Sequence, residues 1–323
     1  MSSGSTVVGN MFNLHPDVFY IYEPLHHLRR RIYRNEWHAL EKSRNDAFTK
    51  DFSTLLPDLF TCGFHENSTI KLVFPKWVRS YNAWYNSSKP FTKDSLREAC
   101  FARKITVTKI MQTRLPRGVG IRELERVCSS DPNKFDCLII HLVRDPRAVL
   151  SSLSRRNFFM GQSYRELLTQ KPMSPEGISL LKQNAQVLCS LVLDNLEHVN
   201  KESSNWFKSH YILVRYEDAI SNMSKVVDDM YKFVGLRMVD AITNWIQGIQ
   251  PTGRQIGRHH AFVLSNTDVA TIDQWRFREN SSLVSLYEEA CGSLMEVMGY
   301  ILVNGSEHLQ HNNSIPLRTE NIE

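Results

Sequence analysis

Two short stretches carry residue types that bind anions. The first is the opening run Ser2, Ser3, Gly4, Ser5 and Thr6, which leads into the apolar Val7, Val8, Met11 and Phe12. Small residues ahead of an amphipathic segment read as a turn feeding a helix, and the first amides of a helix point at whatever anion stands in front of them. The second is HLVRDPRAVLSSLSRR, His141 to Arg156. Arg144 leaves a strand, and Ser152 and Arg156 follow eight and twelve residues later, so on the next helix these two share a face one turn apart. A guanidinium fork, a hydroxyl and a second guanidinium can clamp one phosphate. The competing reading is an ion pair of Arg144 with Asp145 or Asp218 on a solvated helix face.

Two separated anion sites on one sheet edge suit a nucleotide phosphorylated at both ends of its ribose. No Gly-Lys-Ser/Thr follows the opening glycine, which argues against an ATP-magnesium cradle. Glu23 and Lys109 stand at the ends of strand-like runs and are candidates for proton transfer and for contact with the anion. Each also reads as a structural charge, Glu23 pairing with Arg29 or Lys109. His26 and His27 are alternative bases. Arg29–Arg31 and the Arg254, Arg258, His259, His260 cluster can grip an acidic glycan or form solvated faces.

The elements that must position these residues alternate. Asp17–Glu23, Lys104–Ile110, Cys137–Val143 and His210–Tyr216 are β-branched or aromatic runs bounded by breakers and read as strands. Helical spacing is expected from Leu25 to about Asp46, over Ile121–Val127, from Pro146 onward, over Leu180–Val199 and over Ala219–Val234. Phe52–Ala99 reads as an irregular surface excursion. This order predicts an α/β fold with a mostly parallel sheet whose strand carboxyl ends carry the ligands. A single domain over residues 1–304 and a frayed polar tail from Gly305 are expected.

Bulk composition sets limits. The 323 residues are 42% hydrophobic and 23% charged, an ordinary globular balance. Thirty-nine Lys and Arg against 34 Asp and Glu fit an anionic ligand but not nucleic acid. No apolar run as written is long enough to span a membrane, and no Cys/His cluster has metal-ligand spacing, so no metal is expected. Six cysteines permit disulfides and are equally compatible with free thiols. Six Asn-x-Ser/Thr sequons, at Asn67, Asn86, Asn222, Asn280, Asn304 and Asn312, lean towards the secretory lumen.

SSGSTVVGNMFNLHPDVFYIYEPLHHL is similar to the 5'-phosphosulfate loop of Golgi carbohydrate 6-O-sulfotransferases, the galactose/N-acetylgalactosamine/N-acetylglucosamine group, and IIHLVRDPRAVLSS resembles their 3'-phosphate site. YILVRYEDAI and TIDQWRF resemble the same group in order, with chondroitin 6- and keratan-sulfate galactose 6-sulfotransferases the nearest in look. The resemblance implies a P-loop-like sulfotransferase fold, its first strand missing from this sequence. It implies 3'-phosphoadenosine 5'-phosphosulfate as co-substrate, with Ser3, Gly4, Ser5 and Thr6 on the 5'-phosphosulfate and Arg144 and Ser152 on the 3'-phosphate. Arg156 and Tyr216 match nucleotide-contacting positions of related tyrosylprotein sulfotransferases, whose catalytic glutamate falls at the spacing of Glu23. Relatives carry Arg or Lys at Ser2 and a basic residue near Ser265. The implied partner is a glycan of chondroitin, keratan or N-acetyllactosamine type, with no nucleic acid, acting in the Golgi in a longer, membrane-anchored form. The chain as written is expected to be N-terminally incomplete and unstable or nearly inactive. Two other classes stand beside this one: a degenerate, non-catalytic binder, and a cytosolic small-molecule sulfotransferase, which the sequons and the RDPRA and YEP contexts disfavour.

Overall fold

The structure, a computed structural model, describes residues 4–25, 42–64, 92–116, 118–134, 136–155, 173–201, 205–249 and 272–320. The first helix, α1 (Ser5–Asn13), buries Val8, Met11 and Phe12 on one face and leads to β1 (Val18–Tyr22), whose five residues are all buried. Helices α2 (Lys42–Phe60) and α3 (Lys93–Phe101) precede β2 (Ile105–Lys109). The 3-10 turn Gln112–Arg114 and α4 (Ile121–Cys128) lead on to β3 (Ile139–Val143), α5 (Pro146–Arg155) and the long α6 (Pro175–Lys201). After α7 (Asn205–His210) come β4 (Tyr211–Arg215), α8 (Tyr216–Ser221), α9 (Met223–Phe233) and α10 (Asp240–Ile249). The last helices described are α11 (Gln274–Arg278), α12 (Ser281–Val297) and α13 (Glu307–His311).

The four strands among the described residues fall within the runs expected to form them. They make two parallel pairs, β1 with β2 in the register Tyr22 opposite Lys109, and β3 with β4 in the register Val143 opposite Arg215. Helices cover the strands, so apolar side chains fill both faces, the setting in which parallel strands are stable. One core joins α1, β1, β4, α8 and α9 through Met11, Tyr20, Val214, Ala219 and Met230. A second joins α5, α6 and α12 through Leu150, Leu181, Ala185 and Met295. The disulfide Cys189–Cys291 ties α6 to α12, while Cys62–Cys100 and Cys128–Cys137 bind the regions around α3 and α4, so all six cysteines are paired.

Three expectations are corrected. The excursion expected from Phe52 is helical through Phe60 and again from Lys93 to Phe101. Phe48, Phe52, Leu55, Leu56 and Leu59 recur at helical spacing and are fully buried, which outweighs the one hydrogen bond that Pro57 removes inside the helix. The helix expected over Ala219–Val234 is two, broken at Asn222. The polar tail is packed: Arg276 donates to the carbonyls of Leu309, Gln310, Asn312 and Ile315, and Arg215 to that of Thr319. Buried guanidinium groups hold the main chain here, beside the few apolar contacts of Leu309 and Leu317, and that leaves little hydrophobic pattern to read. The helix expected from Leu25 to about Asp46 lies mostly outside the described residues.

Candidate active site

The carboxyl ends of the strands converge on the start of α1. Gly4 is the N-cap of that helix, in the left-handed region at φ 75°, and no side chain caps the helix. The first amides of a helix have no intrahelical acceptor, so this end presents donors and the positive pole of the helix dipole. No acidic residue stands in the first turn to compete with an anion.

β1 delivers Glu23, only 4% exposed and at φ 42°, a conformation that costs a non-glycine residue energy and gathers at functional positions. β2 delivers Lys109, also buried. Its ammonium donates to Glu23 Oε1 at 3.0 Å and to Thr6 Oγ1 at 3.2 Å, and it lies 4.5 Å from the ring centre of Tyr22. Arg114, in the 3-10 turn after β2, places Nε 3.8 Å from Glu23 Oε2. Burial alone would raise the Glu23 carboxyl, but the charge and hydrogen bond of Lys109 and the charge of Arg114 outweigh it, so the group sits below the usual carboxylate range. Burial pulls the Arg114 guanidinium down, and Glu23 opposes that.

β3 and β4 deliver the second cluster. The Arg144 guanidinium lies 4.6 Å from the centre of the Tyr216 ring, a cation-π contact, and the same ring packs against Gly4. The ion pairs weighed for Arg144 go elsewhere: Asp145 holds Arg147, and Asp218 holds Arg215 and Arg318. Arg147 is fully buried, donates to Asp145, Glu288 and the Ile301 carbonyl, and stacks on Trp275, which locks the first turn of α5. Ser152 is half-buried on α5, two turns beyond Arg144.

The structure therefore brings Gly4, Thr6, Glu23 and Lys109 together at one place, and joins Arg144 to the same loop through Tyr216. Ser5 opens α1 beside them. Ser3, Arg156 and Ser265 lie outside the described residues, as do His26, His27, Arg29–Arg31 and the Arg254–His260 cluster. Two participants were missed in the sequence. Arg114 is one; its position just past a strand end, within Met111–Pro116, is the signal that could have found it. Glu217 is the other: buried, it accepts the Asp145 amide at 3.1 Å and the Tyr300 hydroxyl at 2.8 Å, holding the turn that carries Arg144. Burial and the charge of Asp145 push its carboxyl up.

Parallel strands under helices, with a glycine-opened helix and two buried cations at their carboxyl edge, define an α/β protein organised around an anion. The family model described as the sulfotransferase domain matches residues 2–248, and the chain belongs to that family: it is a sulfotransferase. Among curated proteins it is 26% identical to carbohydrate sulfotransferase 1 of Mus musculus over 96% of this chain and 79% of that protein. It is 27% identical to carbohydrate sulfotransferase 3 of Homo sapiens, covering 98% of this chain and 69% of the relative. Carbohydrate sulfotransferase 5 of Mus musculus is likewise 27% identical, over 98% of this chain and 82% of its own length. A solved sulfotransferase domain, from the Synechococcus PCC 7002 olefin synthase, aligns over 89% of this chain and 90% of its own at 18% identity and TM-score 0.40, too loosely to carry an argument.

Proposed function

We propose that the protein transfers a sulfuryl group from 3'-phosphoadenosine 5'-phosphosulfate to the 6-hydroxyl of a galactose, N-acetylgalactosamine or N-acetylglucosamine unit in a glycosaminoglycan or glycoprotein glycan. The observation that carries this is the chain Thr6–Lys109–Glu23, which puts an ammonium one hydrogen bond, and a carboxylate two hydrogen bonds, from the first turn of α1. The residues of that end fit the donor. An uncapped helix N-terminus suits its 5' anion, and Arg144, braced on Tyr216, suits its 3'-phosphate. The donor supplies the sulfuryl group when bound. Glu23, held ionised, accepts the proton of the sugar hydroxyl as the oxygen attacks sulfur in line with the breaking sulfur–oxygen bond. Lys109, shared between Thr6 and Glu23, turns to the leaving phosphate oxygen, whose growing charge the α1 amides also meet.

The names of the relatives support a sugar acceptor. Three disulfides and the exposed sequon residues Asn222, Asn280 and Asn304 support work in an oxidising lumen such as the Golgi. Among the described residues, no helix is long and apolar enough to cross a membrane. The test offers labelled donor with desulfated chondroitin, desulfated keratan and a phenol, and measures binding of adenosine 3',5'-bisphosphate separately. Label on carbon 6 of a sugar is the expected result. Label on the phenol alone, or nucleotide binding with no transfer to any acceptor, would sink the proposal.

A further inference from the structure

Arg144 is held at both ends. Its guanidinium lies on the Tyr216 ring, and the peptide that follows it is pinned by the next residue of α8, for the Asp145 amide donates to Glu217 Oε1 at 3.1 Å. That amide shares one rigid plane with the Arg144 carbonyl, so fixing it restrains ψ of Arg144 and with it the direction of the Cα–Cβ bond. A carboxylate used in this way must itself be held, because a buried oxygen without a donor costs free energy and lets the group turn.

The donor for Glu217 Oε2 comes from far along the chain. It is the Tyr300 hydroxyl, at 2.8 Å. Tyr300 follows α12 and is placed by three constraints. Gly299, at φ 68°, ends the helix with its own amide on the Glu296 carbonyl and the Tyr300 amide on that of Met295, a pair of bonds that fixes the direction of exit. Tyr300 then bridges antiparallel to Arg318, and its ring stands 5.8 Å from the Arg215 guanidinium. Burial and the charge of Glu217 push the pKa of the hydroxyl well above its ordinary value, so it remains a donor.

The same segment grips the turn from its other side. The Ile301 carbonyl accepts from Arg147 Nη1 at 3.0 Å, and the Val303 and Asn304 amides donate to Glu288 at 2.8 and 3.0 Å. Glu288 Oε1 also accepts from Arg147. Residues 300–304 thus frame both ends of the turn 144–147.

We propose that Tyr300 is a positioning residue for the donor nucleotide: through Glu217 and the Asp145 amide its hydroxyl sets Arg144 against the 3'-phosphate. A side chain remote in sequence from both anion-binding stretches then governs nucleotide affinity. This rests on the reading of Arg144 as the 3'-phosphate ligand.

The test is a double-mutant cycle read by calorimetric titration of adenosine 3',5'-bisphosphate. Tyr300→Phe keeps the ring and removes the hydroxyl, and should weaken binding about fivefold or more. In an Arg144→Ala background the same substitution should change affinity less than about twofold, because the group it acts through is gone. Unchanged affinity in Tyr300→Phe, or an equal loss in both backgrounds, overturns the proposal. A large loss in Arg144→Ala beside unchanged affinity in Tyr300→Phe fails this proposal alone, whereas no loss in Arg144→Ala fails the 3'-phosphate reading with it. The unsubstituted protein supplies a second measurement. By reciprocity, bound nucleotide should slow hydrogen exchange of the Asp145, Tyr300 and Ile301 amides about threefold or more, and equal exchange with and without it also overturns the proposal.

Discussion

The Tyr216 ring occupies the space that a side chain at Gly4 would need: a Cβ built on Gly4 would lie 1.9 Å from Tyr216 Cε2. The ring also carries Arg144 on its face, so one aromatic group stands between the start of α1 and the Arg144 guanidinium. A glycine is required here twice over, by the left-handed φ and by the ring.

Gly4→Ala should therefore displace Tyr216 and lower affinity for adenosine 3',5'-bisphosphate by about tenfold or more, alongside a loss of about 1–3 kcal/mol in stability. Calorimetric titration and thermal melting check both.

Arg144→Ala should weaken nucleotide binding by about 2 to 5 kcal/mol, because a phosphate in the site loses a charge-assisted fork. A change below about tenfold, about 1.4 kcal/mol, would remove Arg144 from the clamp.

Glu23→Gln keeps the shape of the site and removes the proposed base. Turnover should fall roughly 100- to 10,000-fold with nucleotide affinity nearly unchanged. Comparable turnover in the variant would move the proton to His26, His27 or solvent.

Arg114→Met tests the field around that base. Arg114 helps hold the Glu23 carboxyl below its ordinary value, so its loss raises the pKa of Glu23. The ionised form then requires a higher pH, and the acid limb of the pH–rate profile should move upward. A profile that stays in place, or moves down, would show that Lys109 alone sets the charge on Glu23.

The strands were legible because each is a compact β-branched or aromatic run between breakers, as in Asp17–Glu23 between His15-Pro16 and Pro24. Candidates at strand ends followed from the same reading. The second half of α2 was hidden by Pro57 and by the Trp- and Tyr-rich sequence beyond it, although its buried positions keep helical period. Arg114 and Glu217 were missed for another reason. Their roles come from Glu23, Asp145 and Tyr300, which are far away in the chain, and no local pattern marks such a partner. Two of the three cysteine pairs were equally non-local, separated by 38 and 102 residues.

The disulfides also determine what a single backbone cut would do. Cys62 and Cys100, separated by 38 residues, bracket everything between α2 and α3, and Cys189 and Cys291 bracket the second half of α6 through the middle of α12. A protease that nicks the chain inside either bracket leaves both fragments on one covalent body, which migrates whole on a non-reducing gel and separates only once thiol is added. A nick between α5 and α6 falls within no bracket and leaves two covalently separate chains, so that connection is one place where cleavage alone severs the half bearing Glu23 and Lys109 from the half bearing Tyr216.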